Sequence, residues 1–277
     1  MSEQEYNQLP GITASALKAG RTSMAHMRLE MLRERDDADQ TPALRWGKLA
    51  HAALLEPPVF AGKIAVHPDT YTNKKGDESE WSMKGAACRD WCAEHADKWI
   101  VSQKELDKLT AMQTAAQADR MFRTVMSQVE AREVTVEWTD KAYGKAKGRL
   151  DGKGAAMILE YKTSGSIAPL VSLMRKCEGY GYAWQMAWYW HGAGRPDNVW
   201  MIVQETGPRS PFCVGCFNVA PTILEKAYDE AAEVAKMYHV CESIGAFPGP
   251  YDGAQTFERP VWAGEDVDLT DTEGATA

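Results

Sequence analysis

Hydrophobic and polar positions along this chain repeat with two different periods, and the change between them marks how it is organised. In the first part, apolar residues recur at helical spacing. Thr13 or Ser15 is placed to cap a short helix, and Met24, Met27 and Met31 follow at intervals of three and four. Thr41-Pro42 is an N-cap with proline at the first helical position, predicting a helix over Pro42–Leu55 that Glu56-Pro57-Pro58 stops. Between 61 and 85 the pattern weakens, and Asn73-Lys74-Lys75-Gly76-Asp77 reads as an exposed loop. Helices are predicted near 84–98 and from 103 to 129.

From residue 133 the period drops to two. Glu133–Trp138, Gly144–Asp151 and Ala156–Thr163 read as three consecutive strands, the last two joined by a turn at Gly152-Lys153-Gly154. Helical stretches follow at 167–178 and 180–191, then strands at 198–205 and 212–218, then a long amphipathic helix over 222–243. This order predicts an α/β fold, a mixed central sheet flanked by helices with an N-terminal helical extension. One domain is expected over 1–262, mainly helical to 130 and sheet-based from 131 onward. The segment 263–277 is an acidic tail expected to be disordered.

Composition changes this picture little. The chain has 277 residues, 44% hydrophobic and 25% charged, which suits a domain with a proper core. No apolar run approaches the ~20 residues of a membrane-spanning helix. The polar start Met1-Ser2-Glu3-Gln4-Glu5 does not read as a secretory signal, and six cysteines are too few for a disulfide framework, so a cytoplasmic location is expected. The net charge of -8 is unfavourable for a nucleic-acid binder, but it is unevenly spread. Residues 264–277 carry five acids and no Lys or Arg, whereas Lys141, Lys145, Lys147, Arg149 and Lys153 cluster in the strand region.

The candidate chemistry lies on two of the strands. In Leu159-Glu160-Tyr161-Lys162 the alternation sends Glu160 and Lys162 to one face and Leu159 and Tyr161 to the other. A hairpin can bring Asp151 beside Glu160. Two carboxylates suit a hard divalent cation, and an ammonium beside it can orient or deprotonate a water and offset charge on a phosphoryl transition state. Taken alone, such a pair is weak evidence, since a surface salt bridge between neighbouring strand residues is common.

Gly148-Arg149-Leu150-Asp151 followed by Leu159-Glu160-Tyr161-Lys162-Thr163 resembles the core of the PD-(D/E)xK nuclease superfamily, with Glu in place of Asp at position 160. Gly47-Lys48-Leu49-Ala50-His51 and Gln185-Met186-Ala187-Trp188-Tyr189 resemble the G-x-x-x-H and Q-x-x-x-Y motifs of its RecB-like branch. The opening Tyr6-Asn7-Gln8-Leu9-Pro10-Gly11-Ile12-Thr13-Ala14-Ser15 and the segment His51–Pro57 are similar to the RecE-type (exonuclease VIII) group of phages and prophages.

The resemblance implies a restriction-endonuclease-like core and a metal-dependent exonuclease. It implies His51, Asp151, Glu160 and the backbone carbonyl of Tyr161 as metal ligands, Lys162 as the water-positioning catalyst, and Gln185 and Tyr189 lining the active site. Glu137 matches an acidic position of the branch and, with Lys147, Arg149 and Thr163, is expected on the DNA side. The implied cofactor is Mg²⁺, with Mn²⁺ as substitute. The implied substrate is double-stranded DNA ends, degraded 5′ to 3′ to leave 3′ single strands. A RecT-like annealing partner, a ring-shaped trimer or tetramer and a bacterial cytoplasmic location in a phage or prophage setting are also implied. Endonuclease or repair activity on branched or single-stranded DNA, and a weakly active DNA-binding module, are the alternatives.

Other signals are set beside this. Cys213-Val214-Gly215-Cys216 sits in an alternating strand and has no second pair for a zinc site, and no set of four cysteines matches the iron–sulfur ligands of Cas4-type nucleases. Cys88, Cys92 and His95 share a helical face that reads as apolar packing. Trp184, Trp188 and Trp190 read mainly as core, with base stacking open to one or two of them.

Overall fold

A computed structural model describes residues 3–33 and 41–251; the acidic tail lies outside the described residues. The chain begins with five helices: α1 (Glu3–Gln8), α2 (Ala14–Gly20), α3 (Met24–Leu32), α4 (Pro42–Leu55) and α5 (Pro57–Lys63). Thr13, Ser23 and Thr41 cap α2, α3 and α4 by accepting backbone N–H bonds, as short hydroxyl side chains do at helix starts. Pro57-Pro58 stops α4 as expected but also opens α5, because proline fits the first turn of a helix.

The weakly patterned stretch after it holds short strands: β1 (Ile64–Val66), β2 (Thr70–Thr72) and β3 (Glu78–Glu80), then α6 (Ala86–Glu94) and β4 (Trp99–Val101). β1 pairs in parallel with β4, and β2 with β3 around the Asn73–Asp77 turn. Strands of three residues are too short to show alternation. The helix expected over 103–129 is two helices, α7 (Gln103–Ala118) and α8 (Arg120–Met126), because Asp119 leaves the helix and caps the second.

The main sheet has five strands: β5 (Ala131–Asp140), β6 (Gly144–Gly154), β7 (Met157–Ser164), β8 (Asn198–Glu205) and β9 (Val214–Asn218), adjacent in that order. All neighbours are antiparallel except β7 and β8, which are parallel and joined through α9 (Leu170–Gly179) and α10 (Tyr182–Gly192). The expected turn at 152–154 is instead strand, and the reversal comes at Ala155-Ala156. The long helix α11 (Pro221–Ile244) closes the described fold.

Alternation along β7 builds two cores. Ile158, with Val199, Met201 and Val203 of β8, packs under α2, α3, α10 and α11. Met157, Leu159 and Tyr161, with Ile202, pack under α4, α7 and α8. Trp184, Trp188 and Trp190 are buried in the first core with their indole N–H groups bonded to Glu230, the Ile12 carbonyl and the Pro196 carbonyl, so none is available for base stacking. Among the described residues no helix is long and apolar enough to cross a membrane.

The N-terminal segment is tied into this frame. Ile12 bridges Ala146 in parallel, and the Lys147 ammonium donates to the carbonyls of Tyr6, Asn7 and Leu9 at 2.8, 3.3 and 2.6 Å. Lys147 is only 5% exposed, so it does not face DNA as expected. It neutralises three carbonyls that no strand partner satisfies. Lys147→Met, which removes this donor from all three carbonyls while Tyr6 keeps the Leu9 N–H, is expected to lower unfolding free energy by about 2–3 kcal/mol, measured by urea denaturation.

Candidate metal centre

β6 and β7 pair over only three positions, Gly152–Leu159, Lys153–Ile158 and Gly154–Met157. The next pair would be Asp151 and Glu160. There the Asp151 carboxylate itself accepts the Tyr161 N–H at 2.7 Å. The strands part at this point, β6 following β5 and β7 following β8. The opening is where the chemistry gathers.

Asp151 has two carboxylate neighbours. Glu160 stands next to it on β7, as expected from the hairpin. The other is Glu133 on β5, which the register Arg132–Gly152 and Val134–Leu150 places opposite Asp151. Glu133 has φ of 53°, a left-handed conformation that costs a non-glycine residue roughly 1 kcal/mol or more, and such strain collects at functional sites. Its carboxylate lies 2.5 Å from Arg149 Nε. The resemblance points to Glu137, but that residue pairs with Lys147, is exposed and does not line the cavity. Counting back from Asp151 across the turn after Asp140 would have found Glu133.

His51 enters from α4. Its Nε2 lies 3.2 Å from Glu133 Oε1 and 3.2 Å from Asp151 Oδ1, yet neither contact is aligned as a hydrogen bond. The three ligand atoms lie within 4.8 Å of one another. On Glu160, one oxygen takes two donors, the Lys162 ammonium and Gln185 Nε2 at 2.5 Å, while Oε2 is buried with no partner. Unpartnered buried polar atoms are costly and ask for an explanation. A divalent cation among His51, Glu133 and Asp151, with Glu160 beside them, fits this donor set: hard oxygens plus one imidazole.

The charges in this cluster are strongly coupled. Burial alone would lower the His51 pKa, but Asp151 and Glu133 raise it to about 9. Burial would raise that of Asp151, and His51, Lys162 and the Tyr161 N–H hold it below the ordinary value. Burial and then Asp151 push Glu160 up to about 7. Lys162 is driven above the ordinary lysine value by Glu160 and Asp151 against its burial, so it stays an ammonium. It is therefore suited to orient a water and offset negative charge rather than to take up a proton.

Tyr189 and Thr163 line the same opening, as does Tyr161. Tyr161's side chain turns into the second core and donates to Gln204. The Tyr189 ring lies over Gly148, where a Cβ would come within 2.7 Å of it, so this glycine makes room for the ring. Gly47 faces open space, with only Thr163 Oγ1 within 4.0 Å of where its Cβ would stand; no neighbouring strand crowds it. Gln185 is buried and bonded to Glu160, Tyr189 and Lys18. No sequence motif pointed to Lys18, which α2 brings to the site across 167 residues. His95 stacks on Trp91 and sets Nδ1 against the Trp91 carbonyl, and Cys92 contacts Met83.

The cavity over this cluster has a volume of about 1120 Å³. Seven cations line it (Arg45, Lys48, Lys63, Lys98, Arg132, Arg149 and Lys162) against three carboxylates, Glu56, Glu133 and Asp151. A chain of net charge -8 thus presents a cationic cleft around an acidic floor.

The His51 shift predicts a pH effect on the metal-free protein. Its folded pKa exceeds the unfolded 6.5, so its stabilisation is complete below about 6.5 and is lost as pH rises through about 9. In EDTA, unfolding free energy is expected to fall over that window by up to a few kcal/mol. His51→Gln should flatten the slope in the same denaturation series.

Comparison with known proteins bears on the fold. No family profile matches this chain, and no curated protein matches it. Among solved structures, a candidate exonuclease from Eubacterium rectale matches at TM-score 0.55 and 13% identity, covering 98% of this chain and 96% of its own. The structure of SSO0001 covers 38% of this chain and 50% of its own at 16% identity, and its TM-score of 0.25 carries no weight. At such identities the likeness concerns architecture: a mixed α/β sheet flanked by helices, with a helical N-terminal part, is the fold this chain shares with the Eubacterium rectale protein.

Proposed function

We propose that this chain is a metal-dependent deoxyribonuclease, an exonuclease that degrades linear double-stranded DNA from 5′ ends. The observation that carries this reading is the group of His51, Glu133, Asp151 and Lys162 on the floor of a cation-lined cleft, with Glu160 buried behind them on Lys162. Seven cations around an acidic floor suit a polyanion whose scissile phosphate must reach a metal. The shared fold with a candidate exonuclease supports the same reaction class.

A bound Mg²⁺ or Mn²⁺ would polarise the phosphate and lower the pKa of a water. His51, Glu133, Asp151 and Glu160 would hold it. Lys162, kept protonated by Glu160, orients the attacking water and offsets charge that develops on the phosphate. Arg149, paired with Glu133, stands at the same wall and can shift from that carboxylate toward a DNA phosphate. The 5′ polarity, the RecT-type annealing partner and the ring-shaped trimer or tetramer extend this proposal along the sequence resemblance.

Linear duplex DNA labelled at either end, incubated with Mg²⁺ or EDTA, tests the reading. Wild type should release label from 5′ ends only with metal, and Lys162→Ala should lose at least about 100-fold in rate. Cleavage of covalently closed circles would make the enzyme an endonuclease, and no cleavage with any divalent metal would remove the catalytic assignment. Charge reversal at Lys48 and Lys63 together should raise KM for duplex DNA roughly tenfold with little change in kcat.

A further inference from the structure

Lys18 belongs to none of the motifs discussed above. Its ammonium lies 2.7 Å from Gln185 Oε1, and the other end of that carboxamide, Nε2, lies 2.5 Å from Glu160 Oε1. An ammonium only donates and a carboxylate only accepts. The amide between them therefore has one orientation that satisfies both, with both ends held. Glu160 Oε1 then carries two donors, Gln185 and Lys162, and Oε2 is the oxygen left without a partner.

The same ammonium stands near Lys162. The Tyr182 ring stands near both, with Lys18 Nζ 5.2 Å and Lys162 Nζ 5.1 Å from its centroid. Burial, and then the like charge of Lys162, lowers the Lys18 pKa to about 8. The fold makes room for this arrangement. Gly181, with φ of 64°, starts α10 at a point where a Cβ would come 3.1 Å from Lys18 Cγ and 3.2 Å from Arg21 Nη1. Arg21 in turn donates to the Glu178 carbonyl, docking α2 on the last turn of α9. A helix contact of this kind needs no charge. Burying one is unfavourable, and an apolar side chain would pack there without that cost.

We propose that Lys18 is a positioning residue of the metal centre. Through the Gln185 carboxamide it fixes Glu160 so that one oxygen is held by donors and the other is presented to the divalent cation. This rests on the nuclease reading above. Groups that orient metal ligands typically contribute about 10–100-fold to metal affinity or activity.

The test compares wild type, Lys18→Met, Lys18→Arg and Asp151→Asn by three measurements. These are the Mn²⁺ Kd from calorimetry without DNA, kcat and KM on linear duplex DNA, and the thermal midpoint. Lys18→Met is expected to weaken Mn²⁺ binding about tenfold and lower kcat roughly 10–100-fold. Its KM should stay within about threefold, and its midpoint should fall by a few degrees at most, since Gln185 Oε1 loses its donor while a half-buried charge is relieved. Lys18→Arg, which can still donate to Gln185, should recover most of both losses. The inference is overturned if Lys18→Met stays within about twofold of wild type in Mn²⁺ Kd and kcat. It is equally overturned if Lys18→Arg, with a midpoint equal to that of wild type, recovers neither loss. Failure of the nuclease reading looks different: wild type then neither cleaves DNA nor binds Mn²⁺ more tightly than Asp151→Asn.

Discussion

The hydrogen bond from the Tyr161 N–H to the Asp151 carboxylate sets the layout of the candidate centre. At that position an antiparallel ladder would ordinarily place a backbone carbonyl. A side-chain carboxylate there ends the pairing of β6 with β7 after three positions and lets the strands diverge. Asp151 is thereby held at the divergence with its other oxygen turned toward His51. Glu160 on one side and Glu133 on the other flank Asp151 from strands that each keep their own partners.

Gathering three carboxylates in a partly buried opening would be unstable if their charge were not offset. Here it is offset by groups from separate parts of the chain: a protonated His51 from α4, Arg149 from β6, Lys162 from β7 and Lys18 from α2. Two of them, His51 and Arg149, lie close to carboxylates without a full set of aligned hydrogen bonds. The cationic residues of the cleft wall extend the same balance outward, which accounts for how an acidic chain could receive a polyanion.

The N-terminal segment contributes to the centre although it lies outside the sheet. Ile12 joins β6 by a parallel bridge, its carbonyl also accepts the Trp188 indole N–H, and Lys147 gathers the carbonyls of Tyr6, Asn7 and Leu9. These bonds place Tyr6 on the cleft wall, with its ring beside Lys147 and Arg149, and they carry α2, with Lys18, onto α10.

Much of this was legible from residue order. The two-residue period of β5 to β7, the Thr41-Pro42 start of α4, the facing of Glu160 and Lys162, and the one-turn spacing of Gln185 and Tyr189 are local regularities, and local regularities survive in one dimension. The short strands between Ile64 and Val101 and the break at Asp119 left no such pattern, because three residues cannot show a period. What only the tertiary structure decided depends on register and on distant contacts. The turn at Ala155-Ala156, rather than two residues earlier, set which residues oppose one another. The pairing of β5 with β6 put Glu133, and not Glu137, across from Asp151. Lys147, expected on the DNA side, is a buried anchor, and Lys18 reaches Gln185 from 167 positions away. The sequence by itself determined which side chains share a face, since that follows from backbone geometry within one element. It left open which elements meet, because that is decided by how two cores pack against opposite faces of one sheet.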